Sequence, residues 1–451
     1  MELTLVGGFV IAIGFWLSMA SHERLVQSIV FFASFSGTAV LNFGEYGMAP
    51  DVVLLSFLLL ASVLSGRLVV PARISGDHLA VGFLILVFTS IVGLSSLFNG
   101  AAHGLVSLQV TQTVYLLFGV CLTLVLSVEF ATVERLEAGL TALRASATFI
   151  SAWGLLQMAC YYTGLEYPAF LFNNSTSHFA DMYDQKAADG VVRIASVATE
   201  PSFMAASLMI FGTFGATVIA LDPLRRTKSW IIPVALTLGT VALSTASTGY
   251  FGLGVLGLLL ARRRPMFALV MFASMAVIGG IWLATVPTAQ DAFYNMTLGK
   301  FTEGSYVERS TTIAPAMELF AKQPWFGFGW GADFSYSIVT LMLANAGVVG
   351  SLAFVIAIAG TLMASASARK NFGMGNSGLA VYAEAAENAL LVYLAESVVS
   401  GFRYVVADFW CLWAFAVAIP SCLVCLDEKA RPYIESRRSW RPQSVTVMRK
   451  Q

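Results

Sequence analysis

The sequence predicts an all-α polytopic membrane protein with about 12–13 transmembrane helices and two long loops on one side of the membrane. First, 57% of the 451 residues are apolar and only 12% are charged, whereas soluble proteins carry about 25% charged residues. Second, apolar runs of bilayer-spanning length recur along the chain. Third, basic residues are distributed unevenly between alternate connecting segments, as the positive-inside rule requires.

Thirteen apolar runs are candidate spans, and together they form one predicted transmembrane domain over residues 1–426. Two short runs are joined only by "STAST" (Ser244–Thr248) and Gly249, which is predicted to be a tight turn. Basic segments flank this pair on both sides, so the pair must cross the membrane twice. The runs cover residues 3–20, 25–41, 51–66, 79–98, 108–128, 145–165, 203–221, 230–244, 248–261, 266–285, 336–364, 386–402 and 404–426.

The orientation follows from the basic residues. Alternate segments place 20 of the 26 Lys and Arg residues on one side and 6 on the other. The richer side is cytoplasmic by the positive-inside rule. This predicts an external N-terminus, an internal C-terminus and a basic cytoplasmic tail, residues 427–451, that rests on anionic headgroups.

Two predicted outer loops are long, residues 166–201 and 286–335, and long loops often carry function. The second contains the helix-like stretch "STTIAPAMELFAKQP", which either presents a surface groove or covers the ends of the spans. Each loop holds one arginine, Arg193 or Arg309. Two interpretations stay open: each guanidinium binds phosphate oxygens, or each pairs with a neighbouring acid.

A third polar group lies at the outer turn "GFRYVVADF" (residues 401–409), between the last two runs. Arg403, Tyr404 and Asp408 are expected to face the same outer cavity. Glu396 instead lies inside the run 386–402. An ionisable group at such a depth is costly, so it is either functional or protonated and hydrogen-bonded.

Motifs for bound nucleotides or metals are missing from the sequence. There is no G-x-x-x-x-G-K-S/T, no H-E-x-x-H and no D-x-D in a loop. The five cysteines lie in or beside apolar runs, and "CLVC" at 422–425 has no second ligand pair, which favours buried hydrophobes over a zinc site. We therefore expect no cofactor, no metal and no nucleic-acid partner.

Three stretches carry a resemblance: "RIASVATEPSFMA" (193–205), "STASTGYFGLGVLGLLLA" (244–261) and "ERSTTIAPAMELFAKQPWFGFGWG" (308–331). Through them the chain resembles the bacterial O-antigen polymerase and O-antigen ligase family, which includes exopolysaccharide polymerases. The shared features are an arginine before a Glu-Pro-Ser entry into a span, a Ser/Thr-Gly turn, and an Arg…Pro-x-x-Gly-x-Gly-x-Gly segment. "LMLANAGVVGSLAF" (341–354) fits the family's next element.

The resemblance implies a GT-C-like membrane glycosyltransferase of the bacterial inner membrane. Such an enzyme transfers a glycan from undecaprenyl diphosphate to a sugar hydroxyl on a second lipid-linked repeat unit at the periplasmic face. The implied partners are the undecaprenyl-diphosphate-linked oligosaccharide donor and acceptor, the bilayer, a chain-length regulator and a flippase. No metal is implied.

The resemblance also assigns roles to residues. Arg193 and Arg309 stabilise the departing diphosphate, with Arg403 as a third candidate. Glu200 is either the general base or a structural residue that holds Arg193 or caps the helix begun by Pro201. The predicted substrate-binding set is Arg403, Tyr404, Asp408, Asp333, Tyr336, Gly327, Gly329, Gly331, Trp330 and Tyr306.

Within that set, Asp333 and Tyr336 are alternative bases, and the three glycines allow a tight turn or close approach to the ligand. The aromatic residues of the segment form either a stacking surface for sugar or lipid or an interfacial belt; they are Trp325, Phe326, Phe328 and Trp330.

One departure from the family pattern bears on the reaction. Many members, ligases especially, place a histidine just after the glycine-rich segment, whereas this chain has "ADFSYS" (332–337) there. The departure favours a polymerase over a ligase that transfers glycan to a lipid or protein acceptor. A transporter or flippase of lipid-linked sugars is the other alternative, but no matching sequence halves are evident.

Overall fold

Helices dominate the structure because a backbone surrounded by hydrocarbon must satisfy its own hydrogen bonds. A computed structural model describes residues 1–44, 46–65, 74–103, 106–176, 193–285, 290, 310–371 and 377–422. The helices are α1 (Leu5–Ala20), α2 (His22–Phe32), α3 (Pro50–Leu64), α4 (Gly76–His103), α5 (Val106–Glu129), α6 (Val133–Thr163), α7 (Ala169–Phe172), α8 (Pro201–Leu221), α9 (Lys228–Leu243), α10 (Ser247–Ala261), α11 (Pro265–Thr285), α12 (Ile313–Lys322), α13 (Ile338–Asn371), α14 (Ser377–Ser400) and α15 (Ala407–Cys422).

Five of these helices are long and apolar enough to cross a membrane, within the residues that the structure describes. They contain Gly76–Asn99, Gln109–Glu129, Pro201–Leu221, Pro265–Thr285 and Ile338–Lys370. Five further apolar helices are shorter, namely α1, α3, α9, α10 and α15. The chain is therefore an all-α, multi-pass membrane protein by its helix composition, and the larger number of crossings stays a prediction.

A small antiparallel sheet corrects the prediction of a span over residues 25–41. Helix α2 ends at Phe32, and the following loop leads into strand β2 (Leu41–Phe43), which pairs with β1 (Glu2–Leu3) and β3 (Tyr46–Met48). The loop is held by polar contacts to residues 172–174 rather than by helical hydrogen bonds. Thr38 Oγ1 donates to the Phe172 carbonyl at 2.6 Å, and Asn174 Oδ1 accepts from Ala39 N at 2.8 Å.

Two helices form the buried centre of the fold. Helix α8 packs against α9, α10 and α14, and nearly all of its side chains are buried. Helix α15 is buried over its described length, as expected for a helix that is apolar on every side. Gly119 of α5 permits close packing on it, since a Cβ there would lie 2.1 Å from the Trp410 ring.

The predicted tight turn is present, between two short apolar helices. Helix α9 ends at Leu243 and α10 begins at Ser247. Thr245 adopts a left-handed conformation in this turn, with φ of 58°. Gly249 then lets α10 lie against α8, because a Cβ there would be 3.1 Å from the Ala205 methyl group.

One end of the helix assembly is joined by ion pairs, and we call it the basic end. Arg225 Nη2 lies 2.7 Å from Glu137 Oε1, which links the α8–α9 connection to α6. Glu384 of α14 accepts from both Arg263 and Arg369, at 3.2 and 3.3 Å. Further pairs at this end are Arg369–Glu387, Arg135–Glu129, Arg225–Asp222 and His22–Glu129. Most of the Lys and Arg residues that the sequence assigns to the cytoplasmic side lie in the helix ends and connections that these ion pairs join.

Candidate functional site

The opposite end, which we call the site end, brings together residues 194–207, 244–249, 323–336 and 401–408. Within the first of these segments, residues 194–200 are non-helical, and residues 194–199 are buried against α6. Gln157 Oε1 accepts from the backbone amides of Ala195 and Ser196 at 3.0 and 2.9 Å. Ser196 has a φ of 54° and donates its hydroxyl to the Ile150 carbonyl at 2.7 Å. These bonds fix the chain between Arg193 and Glu200.

The entry into α8 agrees with the predicted Glu-Pro-Ser start. Pro201 occupies the first helical position, where its missing N–H costs nothing. Glu200 is the N-cap through its backbone, and its carbonyl accepts from Phe203 N and Met204 N at 3.1 Å. Its side chain makes no capping hydrogen bond, so the structure gives no support to side-chain capping. Its carboxylate is partly exposed at the site end.

Arg403 fastens the turn before α15 to the first turns of α8. Its Nη1 donates to the Phe203 carbonyl at 2.7 Å and to Ser207 Oγ at 3.2 Å. Its Nη2 lies 3.3 Å from Asp408 Oδ2, and Ser207 donates to that same oxygen at 2.5 Å. We call the set Arg403, Asp408, Ser207 and the Phe203 carbonyl the arginine latch.

The arginine latch is closed to solvent. Arg403 is 5% exposed and Asp408 is 4% exposed. The guanidinium also lies between two aromatic faces, 5.5 Å from the Phe203 ring and 5.2 Å from the Tyr393 ring, an arrangement that stabilises a cation. Arg403, Tyr404 and Asp408 therefore lie together, as predicted, but they are buried and do not line an open cavity.

Two further acids lie near the arginine latch. Glu396 of α14 is 2% exposed, and neither of its carboxylate oxygens has a hydrogen-bond partner among the described residues. Its carboxylate sits where Gly252 of α10 has no side chain, 2.0 Å from where a Cβ would be. Within the part of the chain that the structure describes, the hydrogen bond expected of a protonated Glu396 is therefore not formed. Asp51 of α3 is also buried and interacts electrostatically with Asp408.

The glycine-rich loop, residues 323–331, is inserted into a break in α13. Gly347 interrupts that helix with φ of 64° and ψ of −169°. The freed carbonyls of Ala344 and Asn345 accept from the amides of Phe328 and Gly329, at 2.9 and 3.0 Å. In return, the amides of Val348 and Val349 donate to the carbonyls of Pro324 and Trp325, at 2.8 and 3.0 Å.

Glycine is required on both sides of this junction. Gly327, Gly329 and Gly331 have φ values of 65°, 96° and 85°, a region that glycine adopts without steric cost. A Cβ on Gly327 would lie 2.5 Å from the Asn345 backbone, and one on Gly347 would lie 2.5 Å from the Gly327 nitrogen. Here the glycines serve close backbone approach to the protein's own helix.

Helices α4 and α5 hold the same loop from its other side. Asn99 Nδ2 donates to the Gly327 carbonyl at 2.8 Å, and Gln109 Nε2 donates to the Phe328 carbonyl at 2.8 Å. Ser95 Oγ donates to the Phe326 carbonyl at 2.5 Å, while Ser96 Oγ accepts from Trp330 N at 2.7 Å. Four polar side chains on two apolar helices thus bind the loop backbone.

The aromatic residues of the loop divide into two groups. Trp330 is fully buried, with its ring 4.7 Å from the Tyr404 ring, so no face of it is open for stacking on a ligand. Phe328 is buried as well, whereas Trp325 and Phe326 are exposed. The stacking or interfacial roles predicted for the group therefore fit only the exposed pair.

The remaining predicted site residues lie beside the turn that contains Arg403. Tyr336 packs next to Gly401, where a Cβ would lie 3.4 Å from the Tyr336 Cα, and its amide donates to Thr312 Oγ1 at 3.3 Å. Asp333 exchanges backbone hydrogen bonds with the Asn345 side chain at 3.0 and 2.9 Å. Burial raises the pKa of Asp333 above its ordinary value.

The structure thus brings Glu200, Arg403, Tyr404, Asp408, Asp333, Tyr336, Trp330 and the three glycines to one end of the helix assembly. Arg193 begins the buried segment that leads to Glu200 and is partly exposed. Arg309 and Tyr306 lie outside the described residues, so the predicted convergence of Arg193 and Arg309 stays a prediction. In the part of the chain that is described, no cluster of His, Cys, Asp or Glu could hold a metal ion.

Several polar residues at this end were not singled out from the sequence. Ser207, Gln157, Gln109 and Asn345 each lie inside an apolar helix and bind backbone or charged groups of the site end. In the sequence, such residues are indicated by a hydrogen-bonding side chain inside an apolar span, because that group needs a hydrogen-bond partner in hydrocarbon. Serines and amides were too numerous in the spans for that signal to single out these four.

A scan against models of known protein families finds no match for the chain, and a search of curated proteins finds no significant match.

Proposed function

We propose that the chain is a polysaccharide polymerase that joins undecaprenyl-diphosphate-linked oligosaccharide repeat units. In this proposal it is a metal-independent membrane glycosyltransferase of the bacterial inner membrane, with about 12–13 crossings. The site end faces the periplasm, which agrees with the basic residues at the opposite end. The proposal rests on the resemblance of residues 190–355 and on where those residues lie.

The observation that carries the proposal is the position of the turn at residues 401–408. This turn contacts the start of α8 through Arg403 and Phe203, and it contacts the glycine-rich segment through Tyr404 and Trp330. The α9–α10 turn lies against α8 at Gly249 and Ala205. Segments that carry the resemblance and lie far apart in the sequence are therefore neighbours in space, as parts of one site must be.

The proposed chemistry needs little from the protein beyond charge and position. The acceptor hydroxyl oxygen forms the new glycosidic bond, the bond from the anomeric carbon to the diphosphate oxygen breaks, and the hydroxyl proton leaves to a base. Cationic groups aimed at the departing diphosphate lower the barrier, and loss of one such donor costs about 3–4 kcal/mol. Arg193 and Arg309 are assigned this role. Arg403 is assigned to holding α8, since its guanidinium is already bound.

Glu200 is the proposed base. It is a partly exposed carboxylate at the site end, immediately before α8 and held by a backbone that is hydrogen-bonded on both sides. Asp333 is the alternative, since its half-buried carboxyl group has a raised pKa and, among the described residues, one oxygen without a hydrogen-bond partner. Glu200→Gln and Asp333→Asn decide between them, because only loss of the base should lower the rate about 100-fold or more.

The proposal is tested with purified protein and synthetic lipid-linked repeat units. Arg193→Ala and Arg309→Ala are each expected to abolish chain extension on a gel while the protein is made and inserted normally. Arg262→Ala is the matched control, because Arg262 is an exposed arginine at the basic end, and it should extend chains normally. Normal chain lengths from either test variant would remove that residue from the diphosphate site.

Two experiments separate the proposed polymerase from the two alternatives. A ligase would leave lipid-linked polymer in a deletion strain, whereas loss of a polymerase leaves single repeat units. A transporter gains some support from the broken helix α13, since discontinuous helices line transport sites. The break at Gly347, however, lies only about a quarter of the way along the 34-residue helix, and the glycine-rich loop fills it. Chain extension by detergent-solubilised protein, without any membrane, would exclude transport as the sole activity.

A further inference from the structure

Buried groups in and beside the arginine latch have unused hydrogen-bonding capacity among the described residues. Arg403 Nη2 is close to Asp408 but makes no aligned hydrogen bond, and Glu396 has two carboxylate oxygens without a partner in the described part of the chain. One group is a donor and the other an acceptor. Unsatisfied buried groups cost free energy, so an arrangement in which these two bond to each other recovers part of that cost.

The geometry permits this second arrangement. The Arg403 guanidinium lies over the ring of Tyr393, which is three residues before Glu396 and so on the same face of α14. Glu396 and Arg403 already interact electrostatically. The Glu396 carboxylate occupies the space that the missing side chain of Gly252 leaves, and the proposed second arrangement requires it to leave that space and turn toward Arg403.

We propose that Glu396 is a positioning residue that acts as the second carboxylate partner of Arg403. In the described arrangement the guanidinium is paired with Asp408, and its Nη1 holds the Phe203 carbonyl and Ser207. When the whole guanidinium turns from Asp408 to Glu396, its Nη1 leaves the Phe203 carbonyl, and the first turn of α8 is released. The exchange of partners does not depend on the proposed function. The effect of this exchange on the reaction does rest on the proposed function, because the released turn of α8 directly follows Glu200.

The experiment measures hydrogen–deuterium exchange in a peptide covering residues 200–207 of the purified full chain in nanodiscs. Asp408→Asn removes the present partner, so the guanidinium moves to Glu396, and exchange should be about tenfold faster or more. Glu396→Met removes the second partner and should make exchange slower than in the unmodified protein. In the double variant, Arg403 has no carboxylate to move to, and exchange should fall back to the unmodified rate or below.

Glu387→Met is the matched control. It makes the same substitution on the same helix at the basic end, where Arg369 keeps Glu384 as a partner. It should leave exchange of residues 200–207 unchanged, alone and in combination with Asp408→Asn.

The reversal in the double variant distinguishes partner exchange from a structural role. If Glu396 only fills space, Glu396→Met leaves the effect of Asp408→Asn in place, and that result overturns the proposal. If the double variant is not recovered folded, the single Glu396→Met variant decides: slower exchange supports the proposal, and unchanged or faster exchange overturns it. None of these measurements uses the polymerisation assay, so failure of the proposed function would leave the result standing.

Discussion

Gly347 lies where the glycine-rich loop enters helix α13, and Gly347→Ala tests that junction. An alanine Cβ would be 2.5 Å from the Gly327 nitrogen and from the carbonyl group of Trp325, contacts that cannot be kept. The backbone values of φ 64° and ψ −169° are also essentially restricted to glycine. We therefore expect the loop to withdraw from the helix.

The cost of that withdrawal follows from the hydrogen bonds across the break. Four backbone bonds join the loop to α13, and at about 1 kcal/mol each the loss is about 4 kcal/mol. At about 1.4 kcal/mol per factor of ten, hydrogen exchange of residues 324–331 should become roughly a thousandfold faster.

The matched control is Gly254→Ala in helix α10, where an added Cβ meets nothing within 4 Å and exchange of the loop should not change. Glycine-to-alanine replacement within a helix there should instead be slightly stabilising. Exchange of residues 324–331 in Gly347→Ala at the unmodified rate would show that the loop does not depend on the break, and the reasoning would be refuted.

Three further substitutions test burial and packing by thermal unfolding in detergent. Trp330→Ala should cost about 3–5 kcal/mol, as for other buried aromatic residues, and a small effect would mean that the ring is not buried. Gly119→Ala places a methyl group against Trp410 and should lower the free energy of unfolding by about 1–3 kcal/mol. Gly93→Ala is the control, because an added Cβ there meets nothing within 4 Å and should not lower the stability. Equal effects of the two substitutions would contradict the close packing at Gly119. Burial raises the pKa of Asp333, so the native state binds a proton more readily than the unfolded state. The contribution of Asp333 to the free energy of unfolding therefore becomes more favourable to the native state as the pH falls through the folded pKa. Asp333→Asn should therefore raise the unfolding midpoint at neutral pH and reduce its pH dependence, and a lowered midpoint at neutral pH would argue against that burial.

Hydropathy predicted the helices well because a membrane-spanning segment is apolar along its whole length. Helices α9 and α10 and the turn between them fall where the paired basic segments placed them. The helical periodicity of residues 310–324 corresponds to α12, Ile313–Lys322. The run 25–41 was wrong in its second half, since an apolar composition does not reveal that loop backbone can bond to residues 172–174.

The site was less predictable because its contacts join residues far apart in sequence. The sequence shows Arg403 as a charge at the end of an apolar run, but its partner Phe203 lies 200 residues earlier and binds through a carbonyl group that every residue has. The three loop glycines predicted a tight turn or close approach to a ligand, whereas Gly327 makes room for α13 and Gly329 makes room for Ser96 of α4 and Gln109 of α5. A glycine pattern indicates close approach without indicating what approaches.

The buried position of α15 bears on how the protein is made. Every other described helix precedes it in the chain, so the ribosome has synthesised them all before this one emerges. Until then α5, α6 and α14 lack the Trp410, Phe415 and Phe409 side chains against which they pack. The interior of the helix assembly is therefore incomplete until α15 is inserted. A chain that stops before Ala407 would have the other described helices without the side chains of α15 that complete their interior.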